Sequence, residues 1–288
     1  MPKWLSVGDF AEYETATLAL YNATHYIQFL NFTGVLRWEV IGERVGVVEL
    51  AVSLNVTGKA GVVSHGGEFH WRKKETFNYS TYWLSIYKSV VLTVNVSSRE
   101  AKYMGHDIGY IPFWVDRMPA KGQRIPMVKL ENGSILHGEV TMVLDRDIDW
   151  HGNKTRPFEI RVVNPDPGNF IDFFYLYDWY SGLALSFSDN GYSYEFAPGS
   201  AYGALLNGTR IEVRKYGGTS FGKLLGLCQI CVFILRSTSI RIGPPSEGGI
   251  NLEMILILGF FTASWILIVY VFLRQRAGKL EEVVETAG

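Results

Sequence analysis

Cysteine is almost missing from this chain of 288 residues: only Cys228 and Cys231 occur. A framework of several disulfides, the usual staple of small exported domains, is thereby excluded. Charge is also scarce. Asp, Glu, Lys and Arg together make up 19% of the residues and the formal net charge is -1, so no nucleic-acid partner is expected. The opening "MPKWLSVGDFAEYETAT" lacks a basic region followed by an apolar run, and so carries no visible secretory signal. Before residue 254 there is no long segment with helical apolar spacing, no repeat of fixed period and no low-complexity tract.

What is abundant is aromatic: 17 Phe, 16 Tyr and 8 Trp, or 14% of the chain. Rings and β-branched side chains pack well on a pleated surface, which favours sheets. Alternation confirms the period. In "VELAVSLNV" Val48, Leu50, Val52, Leu54 and Val56 share one face, and Glu49, Ala51, Ser53 and Asn55 the other. In "VVLTVNVSS" the apolar row is Val90, Leu92, Val94 and Val96. The same reading puts Leu136, Val140, Met142 and Leu144 on one face, and likewise Phe158, Ile160 and Val162. Residues 173–196 read as three strands of an antiparallel meander, turning at Tyr180–Gly182 and Asp189–Gly191, and "TRIEVRKY" adds a strand with Ile211 and Val213 inward. Pro112, Pro119, Pro126, Pro157, Pro165 and Pro167 mark connections. The expected fold is mainly β: an antiparallel β-sandwich or a strongly curved, partly closed sheet, plus one C-terminal transmembrane helix.

The asparagines carry a second pattern. Of twelve, eight stand in N-x-[ST]: Asn22, Asn31, Asn55, Asn78, Asn95, Asn132, Asn153 and Asn207. Ser and Thr form roughly 12% of the chain, so chance yields about one or two such motifs. The excess implies a surface carrying N-linked glycans. The strand reading places Asn55 and Asn95 on solvent faces without reference to glycans.

Residues 254–273, "MILILGFFTASWILIVYVFL", contain no side chain that is charged at neutral pH. As a helix they cover about 30 Å, the thickness of a bilayer's hydrocarbon core. Arg274, Arg276 and Lys279 follow, which puts the tail in the cytoplasm. Every sequon lies before the span. The expected organisation is an extracellular β-rich domain over 1–242, a short linker over 243–253 that keeps it near the bilayer, the transmembrane helix over 254–273 in contact with membrane lipid, and a cytoplasmic tail over 274–288. Export needs a signal, so a leader is inferred to have been cleaved, or the gene start placed too late. Many sequons beside so few cysteines fit an archaeal surface protein better than an animal ectodomain.

The order "VGDFAEY", "LRWEVIGERVGVVELAV", "YIPFWVDRMPAKGQRIPM", "YLYDWYSGLALSF" and "LRSTSIRIG" before a terminal span resembles a loosely defined group of archaeal membrane-anchored, β-rich surface proteins of unassigned function. The resemblance implies location and fold, and transfers no catalytic residue.

Motifs of chemistry each fail on a missing part. Gly218-Thr219-Ser220-Phe221-Gly222 satisfies G-x-S-x-G, but a hydrolase elbow needs a later His and the last is His151. A glycine-rich turn is expected instead. Gly217, Gly222 and Lys223 approach a P-loop, yet Leu224 stands where Ser or Thr must hold Mg²⁺. Cys228 and Cys231, in an apolar run, read as buried thiols. Asp145, Asp147, Asp149 and His151 share a face if "LDRDIDWH" is extended, but a calcium loop needs Gly and Glu where Trp150 and Arg156 stand. A solvated face with Arg146 and Arg161 as counter-charges is expected. His65, Glu68 and His70 lack a third His for zinc. No catalytic, cofactor-binding or metal residue is expected, and the chain reads as a binding protein with a protein partner at the cell surface. Gly259 and Ala263, four apart in the span, suit close helix packing.

Protease added to intact cells is expected to trim the portion before residue 254 and spare the tail. The reverse pattern would invert the topology.

Overall fold

The computed structural model describes residues 5–22, 25–64, 73–76, 78–129, 133–163, 172–189, 192–197, 210–217, 219–227 and 231–244. The span expected over 254–273 and the tail over 274–288 lie outside them, as do Asn132, Asn207, Cys228 and the group His65, Glu68 and His70. No described helix is long and apolar enough to cross a membrane.

In chain order the strands are β1 (Phe10–Thr17), β2 (Ala19–Asn22), β3 (His25–Arg44), β4 (Val47–Ser64), β5 (Lys73–Thr76), β6 (Asn78–Asn95), β7 (Glu100–Tyr103), β8 (His106–Tyr110), β9 (Arg124–Lys129) and β10 (Ile135–Val143). There follow β11 (Ile148–Trp150), β12 (Asn153–Thr155), β13 (Pro157–Val163), β14 (Asp172–Asp178), β15 (Ala184–Asp189), β16 (Tyr192–Ala197), β17 (Arg210–Gly217), the helix α1 (Ser220–Leu225) and β18 (Cys231–Thr238). Twelve strands lie side by side in the order β8-β7-β6-β4-β3-β1-β18-β15-β14-β13-β10-β9, with β2 paired to β3. Every pairing is antiparallel, and the sheet nearly closes as a barrel. Of the two architectures left open by the sequence, this is the curved, partly closed sheet. A small sheet β16-β17-β5 and the hairpin β11-β12 complete the described elements.

The expected alternation sets the inner wall. Val48, Leu50, Val52, Leu54 and Val56 are wholly buried, as are Phe158, Ile160 and Val162. Inside, the rings of Tyr13, Trp38, Phe113, Phe187, Phe221 and Phe233 meet at centroid separations from 5.0 to 6.2 Å. Phe113 and Trp114 come from a connecting segment that runs along the start of β15, with Val115 N–H donating to the Gly182 carbonyl at 2.9 Å and Ala184 N–H to that of Phe113 at 2.9 Å. Phe221 comes from α1. A connection and a helix thus fill space that twelve strands alone would leave open.

The two ends of the sheet, β8 and β9, close without a ladder. A Cβ at Gly109 would lie 2.6 Å from the Cβ of Lys129, so only glycine permits the approach. Lys129 pairs with Asp107 across the seam. Arg99 sits beneath it, 4% exposed, and its guanidinium donates to the carbonyls of Ile111 and Pro126. Burial pushes its pKa down.

Four expectations are corrected. Pro126 lies within β9 rather than in a connection, tolerated because β9 is an edge strand, and Pro157 begins β13, where no ladder N–H is lost. A bulge between Val140 and Met142 turns Met142 outward, to 39% exposure, and brings Val143 against the core. The meander ends at β15, because β18 occupies its other edge and β16 joins β17. The glycine-rich turn holds a real helix, with Thr219 capping its first turn through Gly222 N–H and Gly226 in the left-handed region at its end.

Arg99→Met leaves the Pro126 carbonyl without its charged donor in a dry seam. A loss of about 2–4 kcal/mol is expected in a denaturant titration. An unchanged midpoint would show that the seam closes without the arginine.

Candidate functional site

The three longest strands form one unit. β4 pairs with β3 along nearly its whole length, and with β6 from Val47↔Asn95 to Ser64↔Asn78 without a shift of register. At about 3.4 Å per residue β6 is about 60 Å long. Its neighbours in the barrel are short: β1 covers β3 only from Val35 to Glu39, and β7 covers β6 only at Thr93 and Val94. β2 pairs with β3 from His25 to Gln28, so the remainder is an arm in the order β2-β3-β4-β6, with β6 at its outer edge. Among the described residues no strand pairs with β6 on its far side between residues 78 and 92.

The side chains of β6 alternate between two rows. The inner row, Leu84, Ile86, Val90, Leu92 and Val94, continues the barrel wall and includes Lys88. Lys88 is the only charged residue of β6; its ammonium donates to the Leu225 carbonyl at 2.8 Å, and burial lowers its pKa. The outer row places Thr81, Ser85, Ser89 and Thr93 between Trp83, Tyr87 and Val91. Trp83 is 72% exposed and Tyr87 68%. No charge lies on this row, and Thr57 and Ser85 join their hydroxyls across β4 and β6 at 3.0 Å.

The same face carries sequon asparagines. In β3 a bulge at Leu30 separates the pairs Phe29↔Ala60 and Asn31↔Lys59. It exchanges the faces: Ile27 and Phe29 lie inward before it, Phe32, Leu36, Trp38 and Val40 after it. Asn31 is therefore outward and exposed. Gly58 permits the bulge, since a Cβ there would meet the Asn31 carbonyl oxygen at 2.3 Å. Asn55 is exposed and stands directly between Val35 and Tyr87. Asn95 is exposed at the end of β6; its Oδ1 accepts from the N–H groups of Ser97 and Ser98 at 3.0 Å each, leaving Nδ2 for a sugar. Asn22 ends β2 and Asn78 begins β6.

Asn153 differs from these three. It is exposed after the hairpin turn of His151 and Gly152, both at positive φ, beside a cavity of about 380 Å³ also lined by Trp150, Arg236 and Arg241. Its partner hydroxyl, on Thr155, is wholly buried and donates to Asp178. An enzyme that reads both residues of this motif would therefore meet the Thr155 hydroxyl only before the hairpin folds.

The other sequence candidates do not converge. "LDRDIDWH" breaks before β11, so its acids share no face. Asp147 accepts from Arg156 Nε and from the Tyr180 hydroxyl, both at 3.0 Å, while Asp149 accepts from Gly152 N–H. The counter-charge is thus Arg156 rather than Arg146 or Arg161, and Arg161 pairs with Glu159. Among the described residues no three of His, Cys, Asp and Glu gather as a metal site. Ser220 opens α1 with no His near it in sequence, and Cys231 is buried with Sγ 3.6 Å from the Ala19 carbonyl oxygen.

No protein-family model matches the chain, and no curated protein or solved structure does so either.

Because Asp147 and Asp149 are each held by protein partners, millimolar Ca²⁺ is expected to leave the thermal midpoint of the purified chain unchanged. A rise with Ca²⁺ that disappears in Asp147→Asn would establish a cation site there.

Proposed function

We propose that this is a membrane-anchored, glycosylated surface protein that acts by binding, as a structural component of the cell envelope or an accessory subunit of a surface complex. In this reading the domain before the span faces outward and the tail after residue 273 lies in the cytoplasm. Support comes from the eight sequons on one side of a single apolar segment. The observation that carries the binding role is the β6 edge. It is long and unbroken by a bulge, bordered by exposed Trp83 and Tyr87, and adjoins a face whose asparagines suit glycans. Such an edge is a template for an extended strand of a β-rich partner: backbone groups supply affinity and the aromatic row supplies selectivity.

Two other functions draw less support. A carrier of lipid or another apolar ligand needs a deep apolar pocket, and the rings of Tyr13, Trp38, Phe113, Phe187 and Phe221 occupy that space in the described barrel. An exported hydrolase needs convergent acids and a base, and Asp147 and Asp149 are engaged separately.

Cross-linking in native membranes is expected to capture a companion on this protein. Trp83→Ser with Tyr87→Ser should reduce that capture about tenfold or more while the sugars remain in place. Recovery of the chain with no companion at all would overturn the binding role.

A further inference from the structure

We propose that the partner of the β6 edge is β6 of a second copy, running antiparallel about a two-fold axis at Ser85, so that two arms join edge to edge in one continuous sheet. The inference rests on the binding role above and names its occupant.

Edge strands of proteins that stay apart are defended by proline, by outward charge or by bulges. β6 has none of these along its uncovered stretch. It contains no proline, its ladder with β4 is unbroken, and its one charge, Lys88, lies in the inner row and bonds to Leu225. The opposite end of the sheet shows the contrast, since β9 contains Pro126 and is closed by Arg99 and β8.

The order of side chains selects the occupant. Among the described residues the uncovered stretch runs from 78 to 92, and Ser85 lies at its middle. Turning β6 about that point sets Trp83 opposite Tyr87, Thr81 opposite Ser89 and Ser85 opposite itself in the outer row. In the inner row Leu84 meets Ile86 and Tyr82 meets Lys88. Ring faces ring, hydroxyl faces hydroxyl, and the ammonium meets a ring of the other copy rather than a second ammonium. Moving the axis by one residue sets Trp83 against Ser85 or Ser89 and loses the match. A strand read equally well from either end is what an isologous interface requires.

Size and sugars are both compatible. A stable pair buries about 600 Å² per copy at the low end, or about 40 Å² for each residue from 78 to 92. Exposed rings at Tyr82, Trp83 and Tyr87 contribute beyond the backbone edge. Asn31 and Asn55 stand on β3 and β4, behind the edge, so their sugars leave it open, whereas Asn78 begins the stretch itself and must be bare where pairing reaches it.

The test uses the full chain purified in detergent. The wild type is expected to have the mass of a dimer, and Ser85→Lys with Trp83→Lys to dissociate about 100-fold more readily while its circular dichroism spectrum stays that of the folded chain. A short thiol cross-linker should join Ser85→Cys to itself. It should not join Ser89→Cys to itself, but should join Ser89→Cys to Thr81→Cys when the two are mixed. Ser89→Cys joining itself as fast as Ser85→Cys, or Ser85→Cys reacting no faster than wild type, would overturn the register. A monomeric wild type would overturn self-pairing altogether. If a different companion is still captured through Trp83 and Tyr87 in membranes, the edge remains a binding site and only the identity of its occupant is wrong.

Discussion

A sheet that curls on itself has two ends to satisfy, and here a single buried guanidinium does most of that work. Pro126 has no N–H, so β9 cannot complete a ladder with β8 at that residue. Its carbonyl nevertheless faces a dry interior. The planar fork of Arg99 reaches that carbonyl and the Ile111 carbonyl, and lies 3.6 Å from the sulfur of Met127. The turn that aims Arg99 is set by Asn95, whose side chain holds Ser97 and Ser98. Closure in turn encloses the aromatic cluster, because Phe113 and Trp114 lie on the connection that begins where Arg99 bonds to Ile111. A sequon asparagine, a buried cation and the packing of the barrel are therefore linked through five residues of chain.

The arm obeys the opposite constraint. The same three strands that form the barrel wall from Val48 to Val56 continue past it, where Phe29 and Ala60 stay buried but the β6 side opens to solvent. Their inner row passes from wholly buried Leu92 and Val94 to half-buried Leu84 and Ile86, and then to Tyr82, 53% exposed. Local opening is cheapest where buried contacts are fewest, so the β6 side of the arm belongs to the less stable part of this fold. Tyrosine and tryptophan suit such a place, since each carries an apolar body and a polar tip.

The barrel was legible where one face is dry and the other wet. β4 could be read residue by residue because its inner row is uniformly aliphatic. β6 was read only from Val90 onward, although it begins at Asn78. Along "YSTYWLSIYKS" both faces hold rings and hydroxyls, and the contrast that reveals a strand vanishes. The four-residue recurrence of Trp83, Tyr87 and Val91 was the remaining signal. The bulge at Leu30 was present as a change of phase, with apolar residues at odd positions through Phe29 and at even ones from Phe32. The seam was not legible, because a buried arginine has no sequence signature until its acceptors are known. α1 could have been found from Thr219 and Gly226, a cap at each end of a hydrophobic turn.

Asp178 and Gly243 join the barrel to whatever follows it in the chain. The Asp178 carboxylate is wholly buried and accepts from Thr155, from both the N–H and hydroxyl of Ser181, and from Gly243 N–H at 3.1 Å. Gly243 presses so close to Lys154 that any Cβ would lie 1.9 Å from its carbonyl oxygen. β18, just upstream, is flanked by β1 and β15 rather than lying at a rim. Tension applied to the chain beyond residue 243 is therefore met first by a clamp of hydrogen bonds, and then by a strand gripped along both sides, so the load spreads into the sheet instead of peeling it.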